Sequence, residues 1–292
     1  RSQEVFLHIR RGRHRSWLTV LLTGGSLIAF SACDRGQPVT LPPGLVALPG
    51  GPYTVGSDSA EREIGYSLSP PGVRGAAWYD AWEAPRHVER VAAFAIDSTL
   101  VTQSEYAEFV ATTRHRAPHI EGADYEAQGF LVHAYAEVEG FLWDNDAPPA
   151  ELADHPAVLV DLEDARAYCG WRGRRDGLDV RLPTELEWEA ACRGRAGRLF
   201  PWGDDWVEGA AQIDSSATAP VTAHPSGATP EGVLDLAGNV FEWTGSFMPD
   251  GRPALKGCSW DDAPGTCRCA FRHGRPALTR HVLIGFRCAV SR

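Results

Sequence analysis

The sequence predicts an α+β domain with little regular secondary structure, stapled by disulfides. Capping signals mark three short helices, the strand-like runs are brief and broken by Gly and Pro turns, and six cysteines follow an N-terminal export signal. With 292 residues, 43% of them hydrophobic, the chain can bury a full core. Its formal charge of −10 repels phosphate backbones and argues against nucleic acid as a partner.

Taken in order, residues 1–33 read as the export signal. Arg1, Arg10, Arg11, Arg13 and Arg15 form a basic region, and residues 17–30 form an apolar stretch too short to span a bilayer. Phe30-Ser31-Ala32-Cys33 resembles a bacterial lipobox, with Phe where Leu is usual. That implies lipidation of Cys33, which would become the mature N-terminus, and a lipid-anchored periplasmic or cell-surface location. Residues 34–45, rich in Gly and Pro, are expected to be a linker, with the folded domain spanning 46–292.

Within the domain, Thr102 and Glu105 form a capping box opening a helix whose Tyr106, Phe109 and Val110 share a face. Asp161 caps a second helix, with Leu162, Ala165, Tyr168 and Cys169 on one side. Thr184 and Glu187 box a third, entered through Pro183. Strands are expected over 88–96, 157–160, around Phe271 and over 284–290. Residues 57–82 and 114–154 are long connections without a clear period, able to line a peptide groove or to form a solvated insertion.

The chain has no G-x-S-x-G, P-loop, dinucleotide-binding or HExxH motif, so hydrolase and nucleotide readings lack residues. His115 and His119 have the spacing of a metal pair, but Pro118 breaks the helix that pair requires. His87 and His273 read as structural, and Trp188, Trp202, Trp243 and Trp260 as core or groove-wall residues.

Three ordered segments carry a resemblance: RLPTELEWEAACRGRAGRLFPWGDD at 181–205, LAGNVFEW at 236–243 and GFRCA at 285–289. With LPGGPYTVG at 48–56, EAPRHVERVAAFAID at 83–97 and VTQSEYAEFV at 101–110, the chain resembles the formylglycine-generating enzyme, or sulfatase-modifying factor, family. The resemblance implies that family's variant of the C-type lectin fold. It also implies two structural bridges, Cys169 with Cys288 and Cys192 with Cys269.

Generating enzymes oxidise a substrate cysteine to formylglycine with dioxygen, using Cu(I) held by two thiolates that suit its softness. The resemblance places those thiolates at the third and eighth positions after the Ser of a GGSW motif. Here that Ser is Ser259, in GCSW; the third position is Asp262, and the eighth is Cys267 in a loop about three residues shorter than in active members. The usual copper pair is therefore out of place. Cys258 and Cys267 are open to three readings: a local disulfide, a relocated copper pair assisted by Ser259, or redox-switchable thiols.

The same resemblance implies a calcium site at Asp235, Gly238, Val240 and Glu242, hard oxygen donors for a hard cation. The alternative is a plain turn, with Asn239 left-handed and Glu242 paired to an Arg. The function these readings favour is that of an exported lipoprotein acting as a binding or maturation module. It would be monomeric, meeting its membrane through lipid and a peptide or protein through a surface groove. The alternative is a copper-dependent oxidase using Cys258 and Cys267, and a weaker third option is other chemistry of the family, as in siderophore maturation.

Overall fold

The computed structural model describes residues 41–129 and 132–292, so the export signal, Cys33 and most of the linker lie outside the described residues. Residues Leu41–Arg292 form one unit. The elements in chain order are β1 (Leu45–Leu48), β2 (Gly51–Val55), α1 (Ser59–Ser67), α2 (Pro71–Gly75), α3 (Trp78–Trp82), β3 (His87–Val91) and β4 (Phe94–Asp97). There follow α4 (Gln103–Thr113), α5 (Gly122–Ala127), α6 (Tyr135–Val138), α7 (Leu162–Asp176), β5 (Val180–Arg181) and α8 (Glu185–Arg193). The chain ends with β6 (Phe241–Phe247), β7 (Pro253–Lys256), β8 (Arg272–Gly274), β9 (Ile284–Gly285) and β10 (Ala289–Ser291).

The three helices expected from capping chemistry form where their caps place them. Thr102, Asp161 and Thr184 each accept a backbone N–H from the third helical residue, and Glu105, Asp164 and Glu187 reach back to the cap N–H. The expectation of only three helices falls short, because both long connections are partly helical: residues 57–82 hold α1 to α3, and 114–154 hold α5 and α6. Asp58 caps α1 through the Glu61 N–H, a signal that apolar periodicity alone does not reveal.

The strand expected over 88–96 is two, because β3 pairs with β2 while β4 lies between β1 and β10. The one expected over 284–290 also divides: β9 runs parallel to β6, and β10 closes the sheet β1-β4-β10-β5. Residues 157–160 are buried but not a strand. Leu159 has φ of 59°, which turns the chain out of the pleat, and its N–H bonds to the His281 carbonyl instead.

Two cores result. The larger centres on Tyr106, whose ring stacks on Tyr168 at 5.8 Å and meets Phe286 and Trp143 edge-on. Cys169–Cys288 ties it, closing 119 residues. The smaller packs α8 against β1, β2 and β4 and is tied by Cys192–Cys269 across 77 residues. Each bridge removes about 4 to 5 kcal/mol of unfolded-state entropy on the chain-entropy model.

Charge is buried alongside. Glu189 accepts from Gly56 N–H at 2.7 Å, Arg193 Nε at 2.9 Å and Lys256 Nζ at 3.0 Å, and Arg193 continues to Glu61. Burial alone raises the Glu189 carboxyl, but Lys256 and Arg193 outweigh it and leave the group below its ordinary value. Arg268 and Glu83 form a second enclosed pair, with the guanidinium lying over Tyr79 at 4.3 Å.

Candidate functional site: the hairpin after β7

The site is built where two segments singled out from sequence cross. β7 ends at Lys256, and Gly257, at φ +83°, turns the chain into Cys258 and Ser259. Alongside runs the 235–242 loop: Gly238 N–H donates to Cys258 Sγ at 2.8 Å, and Trp260 N–H donates to the Asn239 carbonyl at 3.0 Å. A short 3-10 turn, Pro264–Cys267, brings Cys267 back, and Cys258 and Cys267 are disulfide-bonded with their Cα atoms 4.9 Å apart. Both are fully buried. The next residues are held too, since Arg268 pairs with Glu83 and Cys269 is bonded to Cys192.

As a disulfide, this pair presents no thiolate to Cu(I). Asp262 has its carboxyl turned inward, accepting from Ser259 N–H at 2.8 Å and lying 2.6 Å from Ser259 Oγ, which also lies 2.6 Å from Asp261 Oδ1. Desolvation pushes Asp262 up to about 7, with Asp261's charge adding to it and the Ser259 hydrogen bonds opposing it.

In the adjoining loop, Asp235 and Asn239 both have positive φ, and Asn239 Nδ2 donates to Asp235 Oδ2 at 3.2 Å. Asn239 also pairs with both backbone groups of Ala219. Glu242 gives both carboxylate oxygens to Arg287, at 2.7 and 2.9 Å. Its carboxyl is raised by burial, against the pull of Arg287. Burial pushes Asp235 up to about 7, with Asn239 and Arg287 opposing and the charge of Glu242 adding to it. Among the described residues no group of three or more His, Cys, Asp or Glu side chains is arranged around a metal position. A hard cation here would rest on Asp235 and on the carbonyls of Gly238 and Val240. That donor set fits calcium in kind, with Glu242 shared with Arg287.

The remaining sequence candidates separate. His115 bonds to Asp164 and His119 to Glu121, so they do not converge. His273 is buried against Phe241 at 4.4 Å and is pushed down to about 3 by burial, with Arg275 and Arg252 adding to it. His87 is exposed. Trp188, Trp243 and Trp260 are buried, whereas Trp202 is half-buried and stacks on Phe200 at 5.7 Å.

Sequence reasoning passed over His133 and Glu137. They come from the insertion at 114–154, which has no period, yet His133 reaches Asp261 of the hairpin at 3.0 Å and Glu137 at 2.8 Å. The i, i+4 spacing of this His and Glu is the one local signal that marks them.

The fold and its stapled hairpin define a C-type-lectin-like domain of the formylglycine-generating type. Residues 32–292 match the family model described as "Sulfatase-modifying factor enzyme 1-like domain", and the chain belongs to this family. It is 32% identical to inactive C-alpha-formylglycine-generating enzyme 2 of Mus musculus, over 85% of this chain and 86% of that protein. It is 30% identical to formylglycine-generating enzyme of Mycobacterium tuberculosis, covering 85% and 97%. Hercynine oxygenase of Mycolicibacterium smegmatis is also 30% identical, over 84% of this chain and 60% of that one. Among solved structures, PvdO from Pseudomonas aeruginosa superposes with a TM-score of 0.63 at 23% identity, covering 85% of this chain and 94% of its own, a likeness of fold.

The Asp262 carboxyl makes stability depend on pH. Its raised value means the folded form keeps a proton that the unfolded form has lost, so its share of stability declines as pH rises from about 4 to about 7. Asp262→Asn should remove that decline. Relative to wild type, the variant's unfolding free energy in urea should gain about 1 kcal/mol between pH 5 and pH 8, half the full-desolvation value over that window because the residue keeps some solvent contact. Parallel midpoints in the two proteins would show that the carboxyl is ionised throughout.

Proposed function

We propose that this chain is a family member without cysteine-to-formylglycine oxidase activity, acting as a binding or maturation module. The observation that carries the reading is the Cys258–Cys267 disulfide, with Asp262 at the position where the resemblance places one copper thiolate. Likeness to a relative named inactive, over most of both chains, supports it. The test is a sulfatase peptide with its target cysteine, incubated with reduced, copper-loaded protein and dioxygen and read by mass spectrometry. The expected result is an unmodified peptide. Conversion to the aldehyde, lost in Cys267→Ser, would instead establish the oxidase reading with Cys258 and Cys267 as ligands.

The protein is proposed to act outside the cytoplasm, anchored by lipid on Cys33; three disulfides among its described residues suit an oxidising compartment. Wild-type protein expressed in a Gram-negative host should incorporate labelled palmitate and sediment with membranes. Cys33→Ser should do neither, and equal labelling of the two would refute the anchor.

Calcium is proposed to bind at Asp235 with the Gly238 and Val240 carbonyls, neutralising a buried carboxylate; Glu242, in the family's fourth position, is shared with Arg287. Chelator should lower the melting temperature by several degrees, the consequence of losing about 1 to 2 kcal/mol of linked binding. Asp235→Ala should make melting indifferent to chelator, while a wild type that melts identically with and without chelator would dispose of the site.

A further inference from the structure

Beside the hairpin lies a cavity of about 300 Å³, lined by His133, Glu137, Ser215, Ser216, Trp260 and Val282. That volume is at the small end of sites for low-molecular-weight ligands. One wall is a continuous chain of proton-carrying groups. His133 Nδ1 lies 2.8 Å from Glu137 Oε2, His133 Nε2 lies 3.0 Å from Asp261 Oδ2, and the ring leans on Trp260 with centroids 4.6 Å apart.

Behind Asp261, Ser259 Oγ lies 2.6 Å from a carboxylate oxygen on each side. A hydroxyl has one proton and donates to one acceptor, so the second contact of that length requires a proton on a carboxyl. Ser259 Oγ ties Asp261 to the inward-turned Asp262, whose carboxyl burial raises to about 7, and the other Asp261 oxygen faces His133 Nε2. A carboxylate lies against each nitrogen of the His133 ring. Two carboxylates against one imidazole make this wall acidic.

The other walls complete a binding shape. Ser215 Oγ accepts from the Gln212 amide at 3.0 Å, which leaves its proton for a ligand, and Ser215 N–H is fixed to the Trp260 carbonyl at 2.8 Å. Trp260 and Val282 supply apolar surface.

We propose that this cavity binds a small organic amine in its ammonium form, its charge on Glu137 and Asp261 and its apolar body against Trp260 and Val282. The groups facing His133 are Glu137 on its own segment, Asp261 and Trp260 on the hairpin, and Tyr125 and His281 behind it, with Tyr125 Oη donating to the His133 carbonyl.

The probe is benzylamine in isothermal titration calorimetry with the full chain, with benzyl alcohol and benzoate as neutral and anionic controls of the same shape. Benzylamine should bind saturably while the controls do not. Glu137→Gln, at a largely exposed position that the fold tolerates, should weaken binding about tenfold, the low end for a hydrogen bond to a charged group. No saturable heat, equal binding of benzyl alcohol, or undiminished affinity in Glu137→Gln would each overturn the proposal.

Discussion

The site depends on the crossing of two backbone segments that have almost no secondary structure of their own. Gly238 N–H meets Cys258 Sγ, and Asn239 accepts from Trp260, so the loop before β6 and the hairpin after β7 are bonded at two successive residues. Such a crossing is unstable when left to local propensity, because irregular backbone pays ordering entropy without the reward of a repeating ladder. Covalent ties offset that cost. Cys192–Cys269 anchors the hairpin's return, Cys258–Cys267 closes its mouth, and Cys169–Cys288 holds the final strand that brings Arg287 to Glu242.

Enclosed ions set the register around that crossing. Arg287, Arg268 and Arg193 are each fully buried, and each is paired with a carboxylate delivered from a distant part of the chain. Pairs of this kind seldom add net stability over well-packed apolar residues. Their contribution is selective: a misplaced loop strands a charge in a dry interior, whereas the native one satisfies every fork. The space beneath Arg268 is equally specific, since a Cβ at Gly65 would lie 2.4 Å from its Nε.

What could be read from the residues divides along the range of the forces involved. Thr102, Asp161 and Thr184 announce their helices because capping is settled within four residues. The family resemblance marks the pairing of Cys169, Cys192, Cys269 and Cys288, two of which, Cys192 and Cys288, sit inside the segments that carry it. The strands were harder: most are two to five residues long, and their partners lie far along the chain, so no local alternation develops. Leu159 shows the limit, an apolar run that is buried yet bent out of any ladder by one positive φ. The approach of His133 to Asp261 was invisible for a different reason, joining an unpatterned insertion to a hairpin 128 residues away.

Lys256, the single lysine of the sequence, is entirely enclosed, with its ammonium on Glu189 and near the face of Trp188. The exterior of the described fold therefore presents no lysine ammonium. Reagents, cross-linkers and acyl-transfer enzymes that need an accessible side-chain primary amine find none on this surface, while its arginines remain open to bidentate partners such as carboxylates.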